Sequence, residues 1–323
     1  MEGGEVRGRS VDLVLSETTA VVSCVAMAMF YVATLHAPTL VFRLPPPSSF
    51  SHFMYRRFCA AALSSVASVA FSSFLLLLPI GGSWDLAELL SLYGIRGDHF
   101  WQAVVFPISL TSMMYVGSMI FKLLSWVDSL REHDIDWDNV LSMDYICCSI
   151  RALREWLVSR AYNVMTWRNF VVAPVTEELV FRACMLPLLL CGGFRKYTAI
   201  FMCPVFFSLA HLNHFMEIYF QQNCQLVKAL MVIGLQLGYT VVFGSYASFL
   251  YLRTGHILAP LVAHVFCNYM GLPVLFSRRR GLVSLAFVMG LISFIWLLFP
   301  MTRPDLYNFQ TSNCRCWQGF CSW

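Results

Sequence analysis

Charge is what this chain lacks. Only 12% of its 323 residues are Asp, Glu, Lys or Arg, roughly half the share of a soluble domain. That deficit excludes a soluble enzyme with an ordinary wetted surface. The net charge of +4 is scattered over loops and forms no basic stripe, which argues against nucleic acid as a partner. No Asn-x-Ser/Thr sequon marks a lumenal loop. Gly-x-Ser-x-Gly and His-Glu-x-x-His are both absent, so neither a serine elbow nor the usual zincin helix is present. Gly97-Asp98 falls in a polar loop and has no second aspartate in a facing span, as an aspartyl dyad requires. Most of the twelve cysteines lie in apolar runs (Cys24, Cys59, Cys184, Cys203, Cys267), where a thiol serves as a small hydrophobe rather than as half of a disulfide. The first apolar run has no basic n-region and no small-residue cleavage site, so a retained helix is expected there rather than a signal peptide. No internal repeat is visible.

What fills the chain instead is apolar. It is 58% hydrophobic and 15% aromatic, with a mean hydropathy of +0.65, the profile of an all-α polytopic membrane protein. Eight runs are long or apolar enough to count as spans: 18–35, 58–80, 101–124, 169–190, 198–212, 226–252, 257–276 and 282–299. The expected organisation is a mobile tail over 1–17, one membrane-embedded domain over 18–300 around a polar catalytic cavity, and a tail over 301–323. A polar insertion over 125–168 carries Ile150, Leu153, Leu157 and Val158 at helical spacing, which fits an interfacial amphipathic helix and equally a solvated one. Gly234 and Gly238, four apart, suggest a close helix contact. Arg43, Arg56, Arg57, Arg151, Arg154, Arg160, Arg168 and Arg278–Arg280 gather on one side of this topology, which the positive-inside rule makes cytoplasmic.

The stretch that needs a reason is Val175-Thr176-Glu177-Glu178-Leu179-Val180-Phe181-Arg182. A charge inside a bilayer costs a few kcal/mol even on lenient scales, on the order of 3 at a helix centre. Two adjacent carboxylates also repel. Glu178 and Arg182 lie four apart and can pair on one helix face, which leaves Glu177 free. His211 ends the fifth run at the same expected depth, and His264 and Asn268 share a face of the seventh. A carboxylate and an imidazole can together deprotonate a water. A further imidazole and an amide can donate to an oxyanion. Amide hydrolysis without a covalent intermediate fits this set.

Alternatives stay open on the residues alone. Glu177, His211 and His264 can ligate a metal in a metal-dependent membrane protease. A Glu/His relay can serve a proton-coupled transporter. The plainest alternatives are an ion cluster at a helix end for the glutamates and an interhelical hydrogen-bond pair for His264 and Asn268. His214, three residues after His211, fits a pocket rim, and Cys314, Cys316 and Cys321 fit an exposed tail.

Glu177-Glu178-x-x-x-Arg182, Phe207-x-x-x-His211 and His264-x-x-x-Asn268, in that order, resemble the three-motif signature of the CAAX protease and bacteriocin-processing family. Length and layout are similar to its eukaryotic type II CAAX prenyl endopeptidase branch. The resemblance covers residues 165–276 by motif and the N-terminal third only by hydropathy. It implies a glutamate-type intramembrane peptidase without a metal or other cofactor. Such an enzyme removes the last three residues from prenylated CAAX-ending proteins such as Ras-like small GTPases, at the endoplasmic reticulum membrane with its site facing the cytosol. It further implies Glu177 and His211 as the water-activating pair, His264 and Asn268 as the oxyanion hole, and Glu178 and Arg182 as supports. A prenyl chain partitions into lipid, so the bilayer itself presents the substrate.

Overall fold

The computed structural model describes residues 15–40, 45, 47–77, 90–132, 143–210, 226–274 and 281–307. Every regular element among them is helical. Helices α1 (Glu17–Leu40) and α2 (Phe50–Leu77) pair along their lengths. After them come α3 (Phe100–Met114), α4 (Val116–Glu132) and α5 (Met143–Tyr162). Residues 164–191 form one interrupted helix: α6 (Val164–Trp167), a π-turn over Arg168–Val172, α7 (Ala173–Glu178), a second π-turn over Leu179–Cys184, and α8 (Met185–Cys191). The chain continues through α9 (Lys196–Ala210), α10 (Leu226–Thr254), α11 (Leu258–Met270) and α12 (Gly281–Met301).

The interrupted helix is the axis of the molecule. Val180, Phe181, Ala183, Cys184, Met185, Leu186, Leu188 and Leu189 are fully buried, as expected of a helix apolar on all sides. Packed around it are α1, α2, α9 and part of α10. Against the far side of α10 lies a second group, α3, α4, α11 and α12, with Leu110, Leu250, Ala259 and Ala263 in its core. Outward faces stay apolar: Val22 and Met29 on α1, Leu63 and Val66 on α2, and Leu285 and Trp296 on α12 are exposed. Contiguous exposed apolar surface on this scale suits lipid rather than water.

Four helices, Glu17–His36, Phe50–Leu76, Leu226–Thr254 and Gly281–Met301, are long and apolar enough to cross a membrane, and a bent pair makes five. The other expected spans are short or interrupted helices among the described residues. The third run, expected as one span over 101–124, is broken. α3 and α4 meet at a 72° bend at Tyr115, whose amide closes on Ser112 O and whose hydroxyl reaches Tyr239 and Gly271 O. The bend is held from outside the segment, which hydropathy cannot report. Gly234 and Gly238 are also not at a contact. A Cβ at either would meet open space, whereas one at Gly117 would strike Phe287 and Val283 O at 2.9 Å. The insertion does carry a helix, α5, with Ile150, Leu153, Leu157 and Val158 exposed.

Candidate active site

Asn163 starts the motif helix. Its side chain accepts the Met165 and Thr166 amides at 2.8 and 3.4 Å, a standard N-cap. Each π-turn is followed within two or three residues by a proline, Pro174 or Pro187, and each proline removes an amide from the ladder. Between the turns lies α7, which ends in Glu177 and Glu178. Neighbours on a helix point about 100° apart, so the two carboxylates enter different surroundings.

Glu178 is fully buried. Its Oε1 accepts from Arg182 Nη1 at 3.1 Å and from His264 Nδ1 at 2.7 Å. Arg182 is also fully buried and its guanidinium lies 4.8 Å from the Phe207 ring centre. Gly244 makes room for it. A Cβ there would sit 2.8 Å from Pro204 Cβ and 3.0 Å from Arg182 Nη2. Glu178 Oε2 and Arg182 Nε and Nη2 find no hydrogen-bond partner among the described residues. Glu177, by contrast, is 17% exposed and lines a cleft of about 120 Å³ between α1, α2 and the motif helix.

His264 joins the two glutamates. With Nδ1 on Glu178, its Nε2 stands 3.8 Å from Glu177 Oε2. That is too long for a hydrogen bond. It is a separation at which one oxygen off the line can bond to both atoms, each at about 2.8 Å. The Phe243 ring packs edge-on against the imidazole, with ring centres 5.1 Å apart. Asn268, one turn further on, is exposed, and its Nδ2 donates to Asn169 O in the first π-turn at 2.8 Å. Thus α11 bonds to the motif helix on both sides of Glu177. An amide nitrogen has two hydrogens, so Asn268 keeps one for another acceptor.

The structure therefore gathers Glu177, Glu178, Arg182, His264 and Asn268. His211 and His214 lie outside the described residues. α9 ends one residue before His211, and Phe207 lies against Phe181 with ring centres 4.8 Å apart. Reasoning from sequence missed the rest of the cleft. Tyr31 shares a 2.9 Å hydrogen bond with Thr176 Oγ1, directly before Glu177. Arg57 and Arg168 line the same cleft. Thr176 and Arg168 were visible as polar residues beside the motif, but nothing in the sequence said that α1 and α2 would face them.

Residues 159–270 match the family model described as Type II CAAX prenyl endopeptidase Rce1-like. CAAX prenyl protease 2 of Arabidopsis thaliana is 54% identical over 309 residues, covering 96% of this chain and 97% of the relative. The Homo sapiens protein of the same name is 34% identical over 300 residues, covering 90% and 83%. No solved structure matches the chain.

Proposed function

The chain belongs to the CAAX prenyl protease 2 family and is a membrane CAAX prenyl endopeptidase, and from that premise we propose how its site works. Glu177, helped by His211, takes a proton from a water as the water oxygen attacks the scissile carbonyl. The tetrahedral oxyanion is held by His264 Nε2–H and by the second Asn268 Nδ2–H. The C–N bond then breaks, and the leaving amine takes the proton back from Glu177. For His264 to donate through Nε2 while Nδ1–H stays on Glu178, its ring must carry both protons. The Glu178 carboxylate at 2.7 Å holds the ring in the orientation this role needs. Arg182 fixes Glu178 in place through its 3.1 Å contact. The observation that carries this reading is the 3.8 Å opening between His264 Nε2 and Glu177 Oε2 at the edge of the cleft.

Substrates of this chemistry are prenylated proteins ending in a CAAX sequence, with Ras-like small GTPases as representatives. The endoplasmic reticulum membrane is the proposed location and the cytosolic side the proposed face, since the arginine-rich runs of the sequence fall on the motif side of the expected topology. The test is purified protein in detergent or liposomes with a farnesylated CAAX peptide. Tripeptide release is expected from the wild type and none from Glu177→Ala or His211→Ala, a loss on the order of a thousandfold or more. Normal cleavage by a folded Glu177→Ala protein would remove Glu177 from the reaction.

A further inference from the structure

Helix α5 is exposed on every side. From Cys147 to Tyr162 each of its residues is open to the surroundings. A helix of this length is marginal alone in water, because most helical stability in proteins comes from packing an amphipathic face. α5 has such a face. At about 100° per residue, Ile150, Leu153 and Leu157 fall within about 60° of one another. They are 61, 57 and 53% exposed, so the row is not packed into the bundle. Arg154 borders it on one side and Arg160 on the other, while Glu155 lies on the opposite face. We infer that α5 lies flat on an anionic lipid leaflet. Ile150, Leu153 and Leu157 turn into the acyl boundary, and Arg151, Arg154 and Arg160 meet the headgroups. This docking does not depend on which glutamate acts on water.

Charge favours anionic lipid over other occupants. Residues 147–162 carry Arg151, Arg154 and Arg160 against Glu155 alone. Arginines at the margins of an apolar face keep their stems on that face and raise the guanidinium to the headgroups. Anionic lipids of a cytoplasmic leaflet attract such a helix. Aromatic side chains point the same way. The Arg160 guanidinium lies 5.3 Å from the Trp156 ring centre, and Trp167, just past the helix, is half exposed. Indole rings of this kind settle at headgroup level. Continuity is the third reason. The Asn163 amide donates to Arg160 O at 3.2 Å, and Trp167 Nε1 donates to Ala161 O at 2.7 Å. These bonds fasten α5 to the start of the motif helix, and so to a domain whose outward faces already suit lipid. A helix tethered in this way meets the bilayer surface at high effective concentration. Asn163 also caps α6, so the footing of α5 on lipid sets how the chain enters the motif helix.

The test is hydrogen exchange of the full-length protein, reconstituted in phosphatidylcholine vesicles with and without phosphatidylserine and read over residues 147–162 by mass spectrometry. Phosphatidylserine should slow exchange of these amides by about tenfold or more, since each arginine near an anionic surface contributes about fivefold to binding. High salt should remove most of that slowing. Arg151→Gln, Arg154→Gln and Arg160→Gln together should remove it at ordinary salt. Leu153→Ser with Leu157→Ser should leave α5 in fast exchange in both vesicles. All these side chains are exposed, so the bundle should fold without them. Fast exchange of the wild type in both vesicles overturns the docking. Equal slowing in both overturns the anionic assignment. Slowing that follows the protein-to-lipid ratio rather than phosphatidylserine gives the face to a second copy. Slowing that survives the leucine substitutions gives it to another part of this chain, and either result overturns lipid as the occupant.

Discussion

Two buried arginines in the helix bundle serve different purposes. Arg253 sits near the end of α10, with its guanidinium between the Phe249 and Phe299 rings, 6.0 and 5.5 Å from their centres. Its Nε donates to Thr302 Oγ1 at 3.4 Å and its Nη2 to Phe299 O at 3.2 Å. The cation ties α10 to the end of α12. Arg182 also meets a ring, but among the described residues its hydrogen bonding goes to one carboxylate, Glu178, and its Nε and Nη2 are left over. That carboxylate in turn holds His264. One arginine is spent on helix packing. The other is spent on the charge of a single oxygen beside a cleft. An incompletely bonded polar group in a buried setting is costly, and its position next to Glu177 is what gives that cost a reason.

Substituting the two arginines tests the contrast most severely. Arg182→Met removes the guanidinium partner of the buried Glu178 carboxylate and leaves that oxygen to His264 alone. Destabilisation of about 3–5 kcal/mol is expected, with tripeptide release lost. Adding Glu178→Gln removes that carboxylate, so thermal unfolding of the double variant should recover towards the wild type while turnover does not. Recovery of both would make the pair purely structural. Arg253→Met should cost only about 1–2 kcal/mol, the scale of its hydrogen bonds, with kcat/KM close to the wild type. Equal loss of activity in the two single variants would erase the distinction.

Asn268→Ala is the next largest expected effect, and it divides the site itself. Loss of one oxyanion donor lowers kcat by about a hundredfold. Loss of the bond to Asn169 O, which holds the π-turn beside the cleft, instead raises KM for the prenylated peptide. Measuring kcat and KM separately shows which bond the asparagine is kept for, and an unchanged enzyme would remove it from the site.

These residues also show what a sequence can and cannot say. The Glu178–Arg182 pair and the shared face of His264 and Asn268 were legible because helical spacing alone determines them. All-helical architecture was legible from the scarcity of charge. The π-turns were not, since they depend on how Pro174 and Pro187 and the surrounding helices settle the backbone. Nor was the cleft, whose second wall comes from α1 and α2, more than a hundred positions earlier in the chain. Gly234 and Gly238 fit a known contact motif, yet a Cβ at either would meet nothing within 4 Å, while Gly244, outside any such motif, is where Arg182 needs room. A small residue permits close approach, and only the partner decides whether it happens.

The smallest expected effect concerns pH, and it belongs to the Arg253 end. His256 follows α10 in a loop where Gly255 takes the left-handed φ of 62°. Its ring is buried, and Nδ1 accepts the Leu258 amide at 3.3 Å, which leaves the ring proton on Nε2. Burial pushes its pKa below the ordinary 6.5, the Arg96 charge adds to that, and Asp98 opposes it. An unfolded chain therefore takes up a proton near pH 6.5 that the folded chain refuses until lower pH. In that window the unfolded state binds more protons, so stability falls as pH falls. Asp98 cannot mimic this between pH 5 and 7. Its own pKa is lowered to about 2 by Arg96, so its contribution is present throughout that range and is lost only in stronger acid. The wild type should thus lose more thermal stability between pH 7.5 and 5.5 than His256→Gln does. Equal slopes would mean that the loop opens to solvent and that this end of the bundle is not held as tightly as the bonds of Arg253 imply.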